Sequence, residues 1–404
     1  MDALEIVMNQ THLVPYYQPV VSADRQEIAG YEMFGRYITK ASETVSLAPF
    51  FLDPEVPEDY QIEVDECLQE RAFSDWINEG SGLLFLNIGA HMYATDRGEQ
   101  LIARILAWEK EGLDRKKLVF DIPEHAIASD KHRVTSFIQY VKSLGIQVAI
   151  DDVRMGGGDL EAIAAAKPNI IKIDAAATKD DEILKNVFAE ANAMRMLSRK
   201  LGAVLLVERL SSFHDLYAAW MQGGRYYQGY YIDKPKKDFQ AKDQYKMKLQ
   251  KDYYYFLDYE KKKIEAQIQL RELLNERLQP LIKNFKRDSS FDDFILNMGR
   301  ELGELAFRIY ICDEKGFQRS ANALFKNGEW SAYPEDEEVN WSWRPYFLEN
   351  IMRMAVEKQG ILSDLYTDIH TNERIRTYAV QLHEEAYIFI DLPYKVLFQR
   401  DYLL

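Results

Sequence analysis

The chain has 404 residues, a formal net charge of −15 and an isoelectric point near 5.1. This length predicts two or three domains. The acidic balance argues against a nucleic-acid polymer as a partner, because no large basic surface is available to hold its phosphates. A hydrophobic content of 47% with 28% charged residues is typical of a soluble globular protein. A small anionic ligand, held by a few placed cations, remains compatible with this composition.

The N-terminus and the cysteines indicate a cytoplasmic protein. Acids come early, at Asp2 and Glu5, and no basic segment followed by an apolar one marks a signal peptide. No uncharged apolar run approaches the roughly 20 residues that a membrane span needs. Cys67 and Cys312 lie far apart and form no metal-ligand spacing, so we expect reduced thiols and no zinc site.

The first predicted elements are two strands. Residues 14–21 and 27–34 are rich in β-branched and aromatic side chains, and the polar turn 22–26 joins them as a hairpin. A loop containing several prolines then leads to a helical pattern over residues 62–76. A hairpin is antiparallel, so a barrel that begins with it would have an irregular first strand pair.

From residue 83 onward, short apolar strands alternate with amphipathic helices. Strands are predicted at 83–88, 118–122, 147–150, 170–173, 204–207 and 226–232. Helices are predicted at 99–108, 132–143, 159–166, 183–200 and 213–221. Continuously apolar strands separated by helices are typical of a parallel sheet buried on both faces. The strand count and a span of about 250 residues favour an α/β fold of the TIM-like (β/α)8 barrel type.

Polar side chains stand at or just past the ends of four of these strands, at Asn87, Glu124, the pair Asp151–Asp152, and Glu208. In a barrel these strand ends share one face, on which active sites are built. Two adjacent carboxylates at the end of a buried strand are costly unless a positive charge lies beside them. A divalent metal would supply that charge. Taken alone, the aspartate pair is explained equally well by a helix cap beside a solvated loop residue.

The residue types at these strand ends indicate a particular chemistry. Carboxylate and amide oxygens without histidine or cysteine suit Mg²⁺, Mn²⁺ or Ca²⁺ rather than zinc. Clustered carboxylates around such ions serve phosphodiester hydrolysis, in which metal-bound water attacks and the leaving oxygen is stabilised. Lys172, inside one strand, could neutralise developing phosphate charge or orient the nucleophile. The residues alone therefore predict a metal-dependent barrel enzyme for an anionic substrate and leave that substrate open.

Eight short motifs follow one another between about residue 10 and residue 237. They are Tyr17-Gln-Pro-Val, Gly30-Tyr-Glu-Met-Phe-Gly-Arg36, Asn87, Pro123-Glu124, Ile150-Asp-Asp, Ile171-Lys-Ile-Asp174, Val207-Glu208 and Gln228-Gly-Tyr-Tyr-Ile-Asp-Lys-Pro235. In this order they resemble the EAL domain. That family hydrolyses the bacterial second messenger cyclic di-GMP to its linear form with Mg²⁺ or Mn²⁺, and Ca²⁺ could occupy the same oxygen site.

The resemblance implies a role for each matching residue. The ligands of one metal would be Glu32, Asn87, Glu124 and Asp151. A second metal and its activated water would be surrounded by Asp151, Asp152 and Glu208, with Lys172 beside that water, so that the catalytic residues would be Glu208, Lys172 and Asp152. The substrate would be bound by Arg36 at a phosphate, by Gln18, Gln228 and Pro235 at the guanines, and by Phe34 and Asn87. Taken without the resemblance, Gln18 and Arg36 are better explained by a strand-end hydrogen bond and a surface salt bridge.

The chain departs from the family pattern in two places. After the aspartate pair the family usually continues Phe-Gly-x-Gly-Tyr-Ser-Ser, whereas this chain has Val153-Arg-Met-Gly-Gly-Gly-Asp159. The usual Glu-Gly-Val-Glu is here Glu208-Arg-Leu-Ser211. Glycines increase the freedom of a loop, and catalysis needs stricter placement than binding does. Two functions follow: a weak or regulated cyclic di-GMP phosphodiesterase giving linear pGpG, or a catalytically silent cyclic di-GMP receptor.

The remaining chain predicts a connecting helix over residues 238–287 and a further domain over residues 288–404, beyond a barrel domain at 1–237. The helix is indicated by apolar residues at helical spacing, and Pro280 is a candidate interruption. Strands at 307–312, 361–366, 377–382 and 386–392, with helices at 291–302 and 346–357, predict an α+β domain. This domain resembles PAS-like or Cache-like modules, which bind small ligands or dimerise, and we expect a homodimer.

Overall fold

The computed structural model describes residues 2–89, 91–94, 97–151, 153, 160–175, 194–357 and 359–399. The chain divides into two compact units, Met1–Tyr253 and Tyr254–Leu404, and each unit carries its own sheet. Within the described residues, no helix is both long enough and apolar enough to cross a membrane.

The first unit is built on a closed ring of strands. Its strands are β1 (Leu13–Ser22), β2 (Ile28–Ile38), β3 (Thr44–Ser46), β4 (Leu83–Asn87), β5 (Leu118–Pro123), β6 (Gln147–Asp151), β7 (Ile170–Asp174), β8 (Val204–Glu208) and β9 (Tyr226–Tyr227). Their order is β1-β9-β8-β7-β6-β5-β4-β2-β3, and β1 also pairs with β2, which closes the ring. β1 is antiparallel to β2 and to β9, whereas the pairs from β2 through β4 to β9 are parallel. The TIM-like barrel with an irregular first strand pair is thus confirmed.

One helix precedes β1, and the other helices of this unit lie along the sequence between the strands. They are α1 (Ala3–Met8), α2 (Ala48–Leu52), α3 (Glu58–Glu79), α4 (His91–Ala94), α5 (Arg97–Lys110), α6 (Glu124–Ser129), α7 (Lys131–Ser143), α8 (Leu160–Ala166), α9 (residues 194–201) and α10 (Phe213–Met221). The predicted helix at 183–200 lies partly outside the described residues. Apolar side chains from six strands fill the barrel interior, as the continuously apolar strands predict: Val20, Phe85, Val119, Ala149, Ile170 and Leu206.

A single helix, α11 (Lys246–Lys283), runs from the first unit into the second and contains Pro280 without ending there. A proline inside a helix costs about 3 kcal/mol. Leu270, Leu274 and Leu278 on this helix are completely buried in the core of the second unit, and each buried leucine contributes about 2 kcal/mol. Their burial outweighs the missing backbone hydrogen bond, so the candidate interruption is absent.

The second unit is α+β, as expected. After α12 (Phe291–Leu302) come β10 (Arg308–Asp313), β11 (Asn322–Lys326), β12 (Glu329–Tyr333), α13 (Pro345–Glu357), β13 (Ile361–Leu362), β14 (Tyr366–Thr367), β15 (Arg374–His383), β16 (Ala386–Pro393) and α14 (Tyr394–Gln399). The antiparallel sheet has the order β12-β11-β10-β16-β15-β13, with β14 on β15. The hairpin of β11 and β12 was missing from the predicted elements.

Candidate functional site

The polar residues at the strand ends meet at one end of the barrel. Asn87, Asp151, Asp174 and Glu208 are the last residues of β4, β6, β7 and β8. Glu32 joins them from β2, which runs parallel to β4. Because parallel strands of a barrel end on the same face, residues that are far apart in sequence become neighbours here. Of the expected grouping, Asn87, Asp151 and Glu208 therefore lie at this face.

The centre of this face is the side chain of Lys172, of which 1% is exposed. Four carboxylates surround its ammonium nitrogen, and we call Glu32, Asp121, Asp151 and Glu208 the carboxylate cluster. Lys172 Nζ lies 2.5 Å from Asp121 Oδ2, 3.2 Å from Glu32 Oε2 and 3.2 Å from Glu208 Oε2. Asp151 Oδ2 is 3.5 Å away. Each carboxylate comes from a different strand, so the lysine links four strands of the barrel.

Three amide side chains extend this network from the carboxylate cluster toward the rim. Asn87 Nδ2 donates to Glu32 Oε1 at 2.9 Å, and Gln228 Nε2 donates to Glu32 Oε2 at 2.8 Å. Gln228 Nε2 also lies 3.2 Å from Gln18 Oε1, while Gln18 Nε2 donates to the backbone carbonyl of Asp233 at 3.0 Å. The two glutamines from opposite ends of the barrel sequence are therefore adjacent, and they fix the orientation of Glu32.

Burial and mutual repulsion set the charges in this cluster. Burial raises the pKa of Asp121 well above its usual value; Lys172 opposes the shift, while Asp151 and Glu32 reinforce it. Burial likewise raises the pKa of Glu208 to about 7, again against the attraction of Lys172. For Lys172 itself burial would lower the pKa, but the four carboxylates outweigh it and hold the pKa well above its usual value. The lysine is thus a permanent cation beside carboxyl groups that can carry protons.

The oxygens of the cluster suit a hard divalent cation. Two of them, Asp121 Oδ1 and Glu208 Oε1, are buried without a hydrogen-bond donor, and so is the neighbouring amide oxygen Gln228 Oε1. One ammonium cannot neutralise four carboxylates, and carboxylate and amide oxygens are the ligands of Mg²⁺, Mn²⁺ and Ca²⁺. In the part of the chain that the structure describes, no group of three acids, histidines or cysteines converges on one ion position, since Lys172 stands between the acids. The residues fit such an ion in donor type and in charge, but among the described residues the acids are arranged around Lys172 and not around a common ion position.

Arg36 lies near the outer end of β2 and is held by aromatic rings. Its guanidinium carbon is 5.6 Å from the ring centre of Tyr16 and 5.9 Å from that of Phe34, and Nη1 donates to the backbone carbonyl of Gly35 at 2.9 Å. Burial lowers the pKa of Arg36. An arginine whose guanidinium lies against aromatic rings is well suited to bind a phosphate.

The other expected site residues are placed as follows. Glu124 is the first residue of α6, directly after β5, and is half-buried. Pro235 is half-buried and precedes Lys236, whose backbone pairs with that of Tyr17 through two hydrogen bonds. Asp152 and residues 154–159 lie outside the described residues.

Sequence reasoning missed two functional candidates. Asp121 was read as part of an apolar strand, although an aspartate inside the run from Leu118 to Ile122 was a signal equal to that of Lys172 in its own strand. Arg209 was noted as a departure from the family glycine, but its charge was given no role. Its Nη1 donates to Asp174 Oδ2 at 2.9 Å, and its Nε lies 3.6 Å from Glu208 Oε1.

The closed barrel and its carboxylate cluster define a TIM-like barrel protein with an acidic, oxygen-lined site. The family model of the EAL domain matches residues 1–235, and that of the EAL-domain associated signalling protein domain matches residues 239–404. The chain belongs to the EAL domain family.

The chain is similar over its whole length to a protein of Bacillus subtilis. The uncharacterized EAL-domain containing protein YkuI of Bacillus subtilis is 38% identical over 407 residues, which is 100% of both chains. The crystal structure of that protein, in complex with its substrate c-di-GMP and calcium, has a TM-score of 0.90, with 98% of this chain and 99% of that chain covered.

More distant relatives match a little over half of this chain. The FimX EAL domain of Pseudomonas aeruginosa, solved bound to c-di-GMP, is 19% identical with a TM-score of 0.53, and the match covers 60% of this chain and 100% of that one. Its likeness shows the fold. The cyclic di-GMP phosphodiesterase PdeB of Shewanella oneidensis is 22% identical over 240 residues, 57% of this chain and 27% of PdeB.

Proposed function

We propose that this protein binds cyclic di-GMP with a divalent cation at the carboxylate cluster and hydrolyses it, weakly or under regulation, to linear pGpG. The observation that carries the proposal is the buried Lys172 ammonium, which lies within 3.5 Å of carboxylates from four strands. The full-length similarity to a protein solved with c-di-GMP and calcium supports the choice of ligand. A cyclic dinucleotide also satisfies the composition, since it is a small anion.

The proposed role of each residue follows the similarity to the EAL family. Glu32, Asn87, Glu124 and Asp151 would hold one ion. Asp151 and Asp152 would hold a second, with Glu208 beside its activated water. When bound, Mg²⁺ or Mn²⁺ supplies a more acidic water and neutralises phosphate charge; Ca²⁺ fits the same oxygens.

The chain's own residues would bind the substrate and handle the proton. Arg36 would pair with a phosphate oxygen, and Phe34, Gln18, Gln228 and Pro235 would contact the bases. Glu208, with its pKa raised to about 7, can accept or return a proton near neutral pH. Lys172 keeps the carboxylates of the cluster at fixed distances.

A catalytically silent receptor is the second candidate. The residues that follow β8 favour it. At the position of the usual second glutamate, the Ser211 hydroxyl donates to Asp215 Oδ2 at 2.7 Å. The same carboxylate oxygen accepts from the backbone nitrogens of Ser211 and Ser212, so the segment serves as the cap of α10. An acid that the family pattern places here is replaced by a serine whose hydroxyl binds Asp215 in the first turn of α10, and binding tolerates that loss better than turnover does.

Product formation separates the two candidates. Purified protein is incubated with cyclic di-GMP and Mg²⁺ or Mn²⁺, and pGpG is measured by chromatography, with Glu32→Ala as the control. We expect slow pGpG formation that Glu32→Ala abolishes. Binding without any product would select the receptor, and an intact protein that binds no cyclic di-GMP would contradict both candidates.

A further inference from the structure

Arg209 directly follows β8 in an unusual backbone conformation. Its φ is 58°, in the left-handed region that side-chain-bearing residues rarely occupy. The EAL pattern places a glycine here, which adopts this conformation without strain. A non-glycine residue persists in such a conformation where its surroundings over-determine it. The arginine therefore needs an explanation from its contacts.

The backbone directly after Arg209 is held by the segment that follows β9. The nitrogen of Leu210 donates to the carbonyl of Gln228 at 3.1 Å, and the nitrogen of Tyr231 donates to the carbonyl of Leu210 at 2.8 Å. Gly229 packs so closely that an added Cβ would meet Leu210 N at 2.2 Å. The left-handed turn at residue 209 is thus held by the neighbouring segment.

The guanidinium bridges two acids at the rim of the site. Asp174 and Glu208 are register neighbours at the ends of β7 and β8. Arg209 Nη1 donates to Asp174 Oδ2 at 2.9 Å, and Nε lies 3.6 Å from Glu208 Oε1. The other oxygen of Glu208 lies 3.2 Å from Lys172 Nζ. Glu208 is therefore held between two cations, one inside the barrel and one at its mouth.

We propose that the Arg209 guanidinium is a fixed positive charge beside Glu208. Because of this charge, the chain binds one divalent ion tightly and a second one poorly. A divalent ion bound to Glu208 Oε1 would stand within a few ångströms of the guanidinium, where like charges repel. Arg209 is a positioning residue, since it acts through Glu208 and Asp174. The inference rests on the proposed function, because it concerns the ions of the same site.

The test counts ions directly, without relying on turnover. Mn²⁺ binding is measured by the loss of the free-ion electron paramagnetic resonance signal, in wild type and in Arg209→Gly, Arg209→Gln and Arg209→Lys. We expect one tight Mn²⁺ per wild-type chain, and a second site about tenfold tighter in Arg209→Gly and Arg209→Gln than in wild type. Arg209→Lys keeps the charge and should resemble wild type. The glutamine variant provides the neutral readout if the glycine variant fails to fold.

Arg225→Ala is the matched control. Arg225 forms a surface ion pair with Asp24 at 3.1 Å, and 53% of its side chain is exposed, against 52% for Arg209. It should leave both Mn²⁺ sites unchanged. Equal second-site affinity in wild type and in the neutral variants, or two tight sites in wild type, would overturn the inference.

Cyclic di-GMP binding in the same preparations separates the two claims. If wild type binds cyclic di-GMP and the neutral variants bind Mn²⁺ as wild type does, the role of Arg209 is wrong and the proposed function stands. If wild type binds no cyclic di-GMP, the proposed function fails, whatever the Mn²⁺ count.

Discussion

Lys172 decides the charge balance of the barrel. Its ammonium is buried with four carboxylates within 3.5 Å, and buried charges are tolerated only when they are paired. The free energy of the site therefore depends on the lysine more than on any one acid. Removing one acid leaves three others to pair with it, whereas removing the lysine leaves the acids without their shared partner.

Replacing Lys172 should destabilise the metal-free protein strongly. We expect Lys172→Met to lower the free energy of unfolding by about 3–5 kcal/mol, the cost of leaving buried charges without their partner. Asp121→Asn in the same chain should recover part of this loss, because Asp121 is the closest carboxylate, at 2.5 Å. Urea denaturation of both single variants and the double variant measures the coupling. Additive losses in the double variant would contradict the account.

Glu208 should make the stability of the metal-free protein depend on pH. Burial raises its pKa from 4.5 to about 7, so the folded state holds a proton that the unfolded state has already lost between these values. This contribution to stability is complete below pH 4.5 and disappears as the pH rises through 7. We expect a loss of about 1–3 kcal/mol across this window. Denaturation curves at several pH values, taken in a chelator, should show a smaller loss in Glu208→Gln. An equal loss in that variant would assign the dependence to other groups.

For single residues, the sequence predicted which side chains lie at the site better than it predicted which side chains pair with one another. Asn87, Asp151 and Glu208 could be placed on one face, because strand ends of a parallel barrel converge. The sequence did not predict Asp121 as a site residue, because it lies inside an otherwise apolar strand. The pairing of Arg209 with Asp174 depends on a left-handed backbone at residue 209. This conformation could not be predicted from the sequence, because the residue is not a glycine.

At the scale of elements, the segment directly after β9 lies against the segment after β8, and Gly229 makes this close contact possible. Gly229 has a φ of 148° and lies against Leu210, where a Cβ would meet backbone atoms at 2.2 and 2.3 Å. The residue before it, Gln228, binds both Glu32 and Gln18. A shift of this segment would therefore move the glutamines and Glu32 together.

Gly229→Ala should weaken cyclic di-GMP binding by about tenfold or more, because a misplacement near 1 Å suffices for such losses. Gly202→Ala is the matched control. Gly202 also has a positive φ, of 69°, but nothing lies within 4 Å of its added Cβ. Both substitutions strain the backbone, but only Gly229→Ala should shift the segment that carries Gln228. Calorimetric titration that finds the same affinity in both variants would show that the packing at Leu210 is unimportant.

The missed hairpin of β11 and β12 shows which signal was overlooked. Asn327 and Gly328 both have positive φ, 52° and 86°, and connect the paired residues Lys326 and Glu329. Asn-Gly is the preferred sequence of such two-residue turns. The strands beside it alternate poorly, with exposed residues on both faces of β12, so the turn was a better indicator here than hydrophobic periodicity.

For the whole molecule, the order of strands and helices was enough to predict the barrel, because parallel strands joined by helices allow few topologies. The sequence could not give the depth at which each polar side chain lies. That depth determines whether an acid pairs with Lys172, as Asp121 does, or stands at a helix start, as Glu124 does. The homodimer and the resemblance of the C-terminal domain to PAS-like or Cache-like modules stay predictions.

The central claim is that the carboxylate cluster binds cyclic di-GMP through a divalent cation, and calorimetric titration of the full chain tests it most directly. In Ca²⁺, wild type should bind cyclic di-GMP saturably, while chelation or Glu32→Gln should weaken binding by about tenfold or more. Glu27→Gln, which alters an acid paired with Lys242 and Lys246 outside the cluster, should bind as wild type does. No binding to wild type, or equal binding by Glu32→Gln, would contradict the account.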